Sequence, residues 1–163
     1  METTPETRPT TTVDLPRFGE CTFLESDVME FPWGIPGFSG HRRWLVLTLD
    51  TQPGFVWLQS LDDLGVAVPT ANPWTLFETY DPKIPAYAFA ALGIKEASDF
   101  ATLCVVVVGA RGESMTINLA APIILNLRTR KAVQVLCDNA GYSSNEPVPR
   151  KAGAEAALSA KAS

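Results

Sequence analysis

The apolar positions of this chain fall in short runs broken by glycine and proline. Residues 28–31 read as a brief strand that stops at Pro32. Residues 44–49 are apolar and β-branched, and residues 55–60 follow a turn at 50–54. Residues 65–69 form another strand with Pro69 at its exit, and residues 74–80 read as extended. The strongest strand signal is residues 103–108, where four consecutive valines combine poor helix and good strand propensity. A hairpin-like break at 109–112 follows, and residues 115–120, 123–127 and 132–136 complete the series. Pro122 interrupts it in a way that suits a bulge or an edge. A helix is expected over residues 85–92, with Pro85 at its first position and Gly93 at its stop. Short connections favour antiparallel pairing, because parallel pairs need long crossovers. The pattern predicts a mainly β protein, a small antiparallel β-barrel or strongly bent sheet with one short helix. The expected domain spans residues 13–146. Residues 1–12, rich in Thr, Pro and Glu, form a disordered N-terminal tail, and residues 147–163 a flexible C-terminal tail.

Three segments depart from simple alternation. Phe31-Pro-Trp-Gly-Ile-Pro-Gly-Phe38 places glycines and prolines between aromatics, which holds the backbone in one bend. It is either a packed loop or a rigid rim presenting Trp33 or Ile35 to a partner. In residues 55–60, Phe55, Val56, Trp57 and Leu58 are all apolar. Such a strand is buried on both faces or touches another protein. Residues 116–126 alternate better, and Asn118 and Asn126 either cap turns or hydrogen-bond an added peptide strand.

Length and composition fit one domain with its own core: 163 residues, 46% hydrophobic and 19% charged. Three cysteines without CxxC spacing are no disulfide framework, and a reducing compartment is the simplest reading. The N-terminus is polar and acidic, unlike a signal peptide, and no apolar run approaches the roughly 20 residues of a membrane span. A cytoplasmic protein without a membrane partner is expected. Charge alters the picture more. Residues 13–81 hold ten acidic and three basic side chains, whereas residues 82–146 hold five and six. Glu20, Glu25, Asp27 and Glu30 follow one another with no basic residue between them, and Asp62 and Asp63 adjoin the third strand. Nucleic-acid binding calls for the opposite sign, so an acidic half suggests a basic protein partner. A small β-barrel nucleic-acid-binding protein remains the alternative on fold grounds alone.

Candidate chemistry is sparse. The single histidine, His41, stands beside Arg42 and Arg43 on an expected loop, where a solvated side chain is a better reading than a general base. No His/Cys/Asp spacing fits zinc, and residues 109–112 lack the ending of a phosphate loop. Adjacent Asp62 and Asp63 would face opposite sides of a strand and cannot act as a carboxylate pair. No catalytic, cofactor-binding or metal-binding residue is nominated.

Taken in order, the three segments resemble the FliW family of flagellar assembly factors. Arg17-Phe18-Gly19-Glu20 is similar to that family's opening motif, Asp81-Pro-Lys-Ile-Pro85 to its loop before the helix, and residues 131–136 with Tyr142 to its closing strand. The resemblance covers roughly residues 15–148. It implies a non-enzymatic protein that binds flagellin and antagonises CsrA, the translational repressor of flagellin mRNA, by exchanging partners. On that basis Glu20, Glu25, Asp27, Glu30, Asp62 and Asp63 are expected to face CsrA. Trp33, Ile35, Phe38, Trp57, Leu58, Asn118 and Asn126 are expected to face flagellin.

Overall fold

The computed structural model describes residues 9–51, 54–96, 99–109, 114–139 and 141–149 of the chain. In chain order the strands are β1 (Thr10–Leu15), β2 (Gly19–Leu24), β3 (Met29–Glu30), β4 (Arg43–Leu47), β5 (Val56–Ser60) and β6 (Ala67–Ala71). After the one α-helix among the described residues, α1 (Ala86–Leu92), come β7 (Phe100–Val108), β8 (Met115–Ile117), β9 (Ile123–Asn126), β10 (Lys131–Gln134) and β11 (Glu146–Pro147).

β1 and β2 form a separate hairpin, and the other nine strands form one large bent sheet. Seven of them, β7-β6-β5-β4-β3-β10-β9, close a hydrogen-bonded ring because β9 pairs back onto β7, with Leu103 opposite Ile123. All the pairings are antiparallel except the single contact of Lys131 on β10 with Glu30 on β3. β8 and β9 lie end to end along β7, opposite residues 106–108 and 100–103 respectively. The interruption holds Pro122, as the sequence suggested. There Asn118 Oδ1 accepts hydrogen bonds from the N–H groups of Ala120 and Ala121.

Period-two alternation explains the packing. Trp44, Leu58, Val68, Leu103, Ile123, Leu125 and Ala132 fill one core with Met29, Phe31 and Ile35. The opposite face is covered piecewise. α1 lays Ala88 and Leu92 on Ile124, Val133 and Val135. The hairpin lays Phe23, Val13 and Cys21 on Leu45 and Leu47. The 73–80 segment and Val148 close over Cys104, Val106 and Ile117. There the phenol of Tyr80 donates to the Leu119 carbonyl at 2.7 Å. Burial pushes the Tyr80 phenol up and the Cys104 thiol to about 12, so Cys104 behaves as the inert small hydrophobe expected of it.

The structure corrects several expectations. Residues 10–12 belong to β1, and residues 147–148 to β11 and the core, so both tail boundaries were drawn inside ordered structure. Residues 1–8 and 150–163 of the expected tails, and most of the break at 109–112, lie outside the described residues. Residues 74–80 are not extended. They begin with a 3₁₀ turn (Pro73–Thr75) whose Trp74 N–H is accepted by Asn72 Oδ1. An asparagine cap followed by proline starts a helical turn, and this outweighed the β propensity of the aromatics. Pro85 is the cap of α1 and not its first residue, while Gly93 ends it in the left-handed region at φ +69°. No helix among the described residues is long and apolar enough to cross a membrane.

Candidate protein-binding surfaces

The 31–41 loop is a chain of short-range hydrogen bonds. Gly34 N–H donates to Phe31 O at 2.9 Å, Phe38 N–H to Ile35 O, and His41 N–H to Phe38 O. Phe31 and Ile35 are sunk in the core, with the Phe31 and Trp44 ring centroids 6.1 Å apart. Between these anchors Trp33 points outward and is 56% exposed. Its ring lies 6.4 Å from that of Tyr87 on α1, which is 57% exposed. The two rings form an aromatic platform that joins loop and helix. Tyr87 was missed in the sequence, though a signal existed: with Ala88 and Leu92 four apart on the packed face, Tyr87 falls to one side of it.

The other residues expected to face flagellin are placed differently. Ile35, Leu58 and Asn126 are buried and present no surface. Leu58 points into the ring because the β5 pleat turns it there. Asn126 is a buried bracket: its amide donates to Leu92 O at 2.6 Å, and its oxygen accepts from Arg128 and Thr129 N–H. Asn118 is half-buried and caps the turn before Pro122. Trp57 is half-buried on the outer face, with the Phe18 ring edge-on at 5.4 Å and the Arg17 guanidinium 5.3 Å from its centroid. Phe38 is half-buried against His41 and Trp44. Of the seven, Trp33 alone is mostly exposed, and the double burial considered for residues 55–60 largely holds.

The six acidic residues expected to face CsrA are all exposed, and Glu25 and Asp27 also do structural duty. Asp27 accepts the Leu24 N–H, and Glu25 pairs with Arg43. Glu30 stands between Arg43 on β4 and Lys131 on β10 as their register partner. The guanidinium of Arg130 donates to Asp27 O. The fold therefore threads Arg43, Arg130 and Lys131 among acids that are uninterrupted in sequence. Asp63 accepts from Gly65 N–H. Asp62 accepts from Arg43 N–H at 3.0 Å and Arg42 N–H at 2.6 Å, and these backbone donors hold its carboxyl below the usual range. The least compensated acid is Glu20, which sits directly opposite Asp14 across the hairpin.

A groove of about 300 Å³ runs between Trp74, Pro82, Lys83, Ile84, Phe89 and Phe100. Among the described residues no group of three His, Cys, Asp or Glu side chains is arranged to hold a metal ion. What these residues offer at the surface is aromatic and carboxylate groups on a rigid β scaffold. Exposed aromatic rings held in this way suit contact with protein partners.

The chain belongs to the FliW family: the profile described as FliW protein matches residues 12–148. It is 35% identical over 129 residues to the flagellar assembly factor FliW of Pseudothermotoga lettingae, covering 78% of this chain and 81% of that one. It is 34% identical over 125 residues to that of Caldicellulosiruptor bescii, covering 77% and 82%. A crystal structure of the flagellar assembly factor FliW superposes with a TM-score of 0.78 at 26% identity, covering 84% of this chain and 96% of that chain.

Proposed function

We propose that this flagellar assembly factor works in the cytoplasm by binding, transforms no substrate, and switches between two protein partners. Flagellin docks on the Trp33–Tyr87 platform, and CsrA docks on the acidic face around Glu20, with Asp62 and Asp63 at its margin. The observation that carries the reading is the exposed aromatic pair, fixed from below by Phe31 and Ile35 and from the side by α1. Two preordered aromatic rings lose little conformational entropy on binding, and Trp and Tyr are the residues most enriched at binding hot spots. The ends of flagellin are amphipathic helices in the family picture, and the apolar face of such a helix suits this platform. An acidic protein docked on CsrA lowers the potential at its basic RNA-binding surface and so opposes phosphate contacts. Free flagellin then holds the factor, and its export releases the factor to relieve repression. Linkage requires only that each partner weaken the other's binding.

The test is calorimetric titration of the purified chain with flagellin, beside the Trp33→Ala and Tyr87→Ala variants. Wild type is expected to bind. Trp33→Ala is expected to weaken binding by roughly tenfold or more with its circular dichroism unchanged. Absence of binding by the wild type, or unchanged affinity in both variants, overturns the flagellin assignment.

A further inference from the structure

His41 was set aside as a base, yet its ring is held by specific contacts. Nδ1 lies 2.9 Å from Ser60 Oγ, and Ser60 is completely buried. That hydroxyl oxygen already accepts the N–H groups of Asp62 at 3.1 Å and Asp63 at 3.0 Å. A hydroxyl has two lone pairs and one proton. Both lone pairs are engaged, so the proton is what reaches His41, and Nδ1 must be the acceptor. We propose that His41 is a proton-sensitive latch, neutral and protonated at Nε2, through which Ser60 ties the aromatic loop to the acidic 60–63 turn.

The latch joins the two surfaces. On one side the His41 ring packs edge-on against Phe38 with centroids 5.6 Å apart, and the backbone N–H of His41 donates to Phe38 O. Phe38 closes the loop that presents Trp33 through its bridge to Ile35. On the other side Ser60 organises the N–H groups of Asp62 and Asp63, while Asp62 reaches back to the Arg42 and Arg43 backbone. The charged groups around the ring are the Asp62 carboxylate and the neighbouring Arg42 and Arg43, the latter paired with Glu25. The ring also lies 5.9 Å from Trp44. Protonation of Nδ1 puts a donor against the Ser60 proton. The hydroxyl must then rotate, which costs either the His41 contact or one of the two amide contacts. Histidine is the side chain whose charge changes most readily between about pH 5 and 8. Protonation of the ring therefore loosens loop and turn together. The consequence for partner exchange rests on the flagellin and CsrA reading above, whereas the latch itself stands on the Ser60 geometry.

Because His41 is the only histidine, its imidazole nitrogens can be read without ambiguity by long-range ¹⁵N–¹H NMR of the full chain. The neutral ring is expected to be the Nε2–H tautomer. On acidification the Asp62 and Asp63 amides should shift with the imidazole's own midpoint. Their exchange, corrected for intrinsic rates, should become about five- to tenfold faster, the loss of one hydrogen bond. His41→Asn keeps an acceptor near the Nδ1 position that cannot titrate, and it should abolish the pH dependence while keeping the amides protected. A neutral Nδ1–H tautomer, amides indifferent to the titration, or an unchanged pH response in His41→Asn overturns the latch. None of these readouts uses flagellin or CsrA, so failure of the latch is distinguishable from failure of the partner assignment.

Discussion

Gly34 shows how much of this protein's surface rests on one backbone angle. Its φ is +69°, and a Cβ there would meet Ser39 O at 2.6 Å. Gly37, three residues on, has φ +91° but nothing within 4 Å of its Cβ position. Both substitutions to alanine incur the left-handed penalty of about 1–2 kcal/mol, and only Gly34→Ala adds a backbone collision. Gly34→Ala is therefore expected to lower stability in urea unfolding more than Gly37→Ala, by at least about 1 kcal/mol beyond the shared penalty. Equal losses would mean that the close approach to Ser39 does not exist. The positive-φ need of the bend was readable from its Gly and Pro residues. The approach of Ser39 was not, because it depends on how the loop closes.

At the scale of elements, the interrupted β8–β9 strand depends on its two asparagines, which the sequence left open between turn cap and peptide contact. Asn118 caps a half-buried turn, whereas Asn126 ties β9 to the end of α1 and to the turn into β10. Truncating Asn126 leaves the Leu92 carbonyl and two N–H groups without their partner. Asn126→Ala is expected to cost about 2–3 kcal/mol and Asn118→Ala about 1 kcal/mol or less, measured by the same unfolding. The reverse order would show that the α1–β9 bracket is unimportant. The β1–β2 hairpin was legible yet overlooked. Thr12, Asp14, Glu20 and Thr22 alternate with Val13, Leu15, Cys21 and Phe23, but the threonines were read as tail composition when they are β-branched strand residues. The Thr12 and Thr22 hydroxyls meet at 2.8 Å across the pair.

Over the whole molecule, the charge map differs from its linear version. The four acids of residues 20–30 have no basic residue between them in sequence, and the fold places Arg43, Arg130 and Lys131 beside them. The concentrated negative charge moves to the hairpin, where Asp14 and Glu20 stand opposite each other at a cost in stability. Glu20→Lys removes that repulsion, so it should leave stability unchanged or raise it by about 0.2–1 kcal/mol. If the hairpin supplies the field that opposes RNA binding, the same variant should antagonise the CsrA–RNA complex less well in a gel-shift assay. Wild-type antagonism should also weaken as salt rises. Undiminished antagonism by Glu20→Lys would remove the hairpin from the proposed CsrA-facing surface.

Hydropathy alone determined that this chain is mainly β with one short helix, because strand alternation, valine runs and Gly/Pro punctuation are local properties. Motif order pointed to its family for the same reason. Which apolar residues remain at the surface was decided only by the tertiary structure. Burial depends on what packs across the pleat: Leu58 and Ile35 are sealed inside the ring, Trp57 is covered by Phe18, and Trp33 and Tyr87 are brought together from segments more than fifty residues apart. The link from His41 to Ser60 is likewise invisible along the chain, since the hydrogen-bond count that defines it exists only once β5 and the aromatic loop have met.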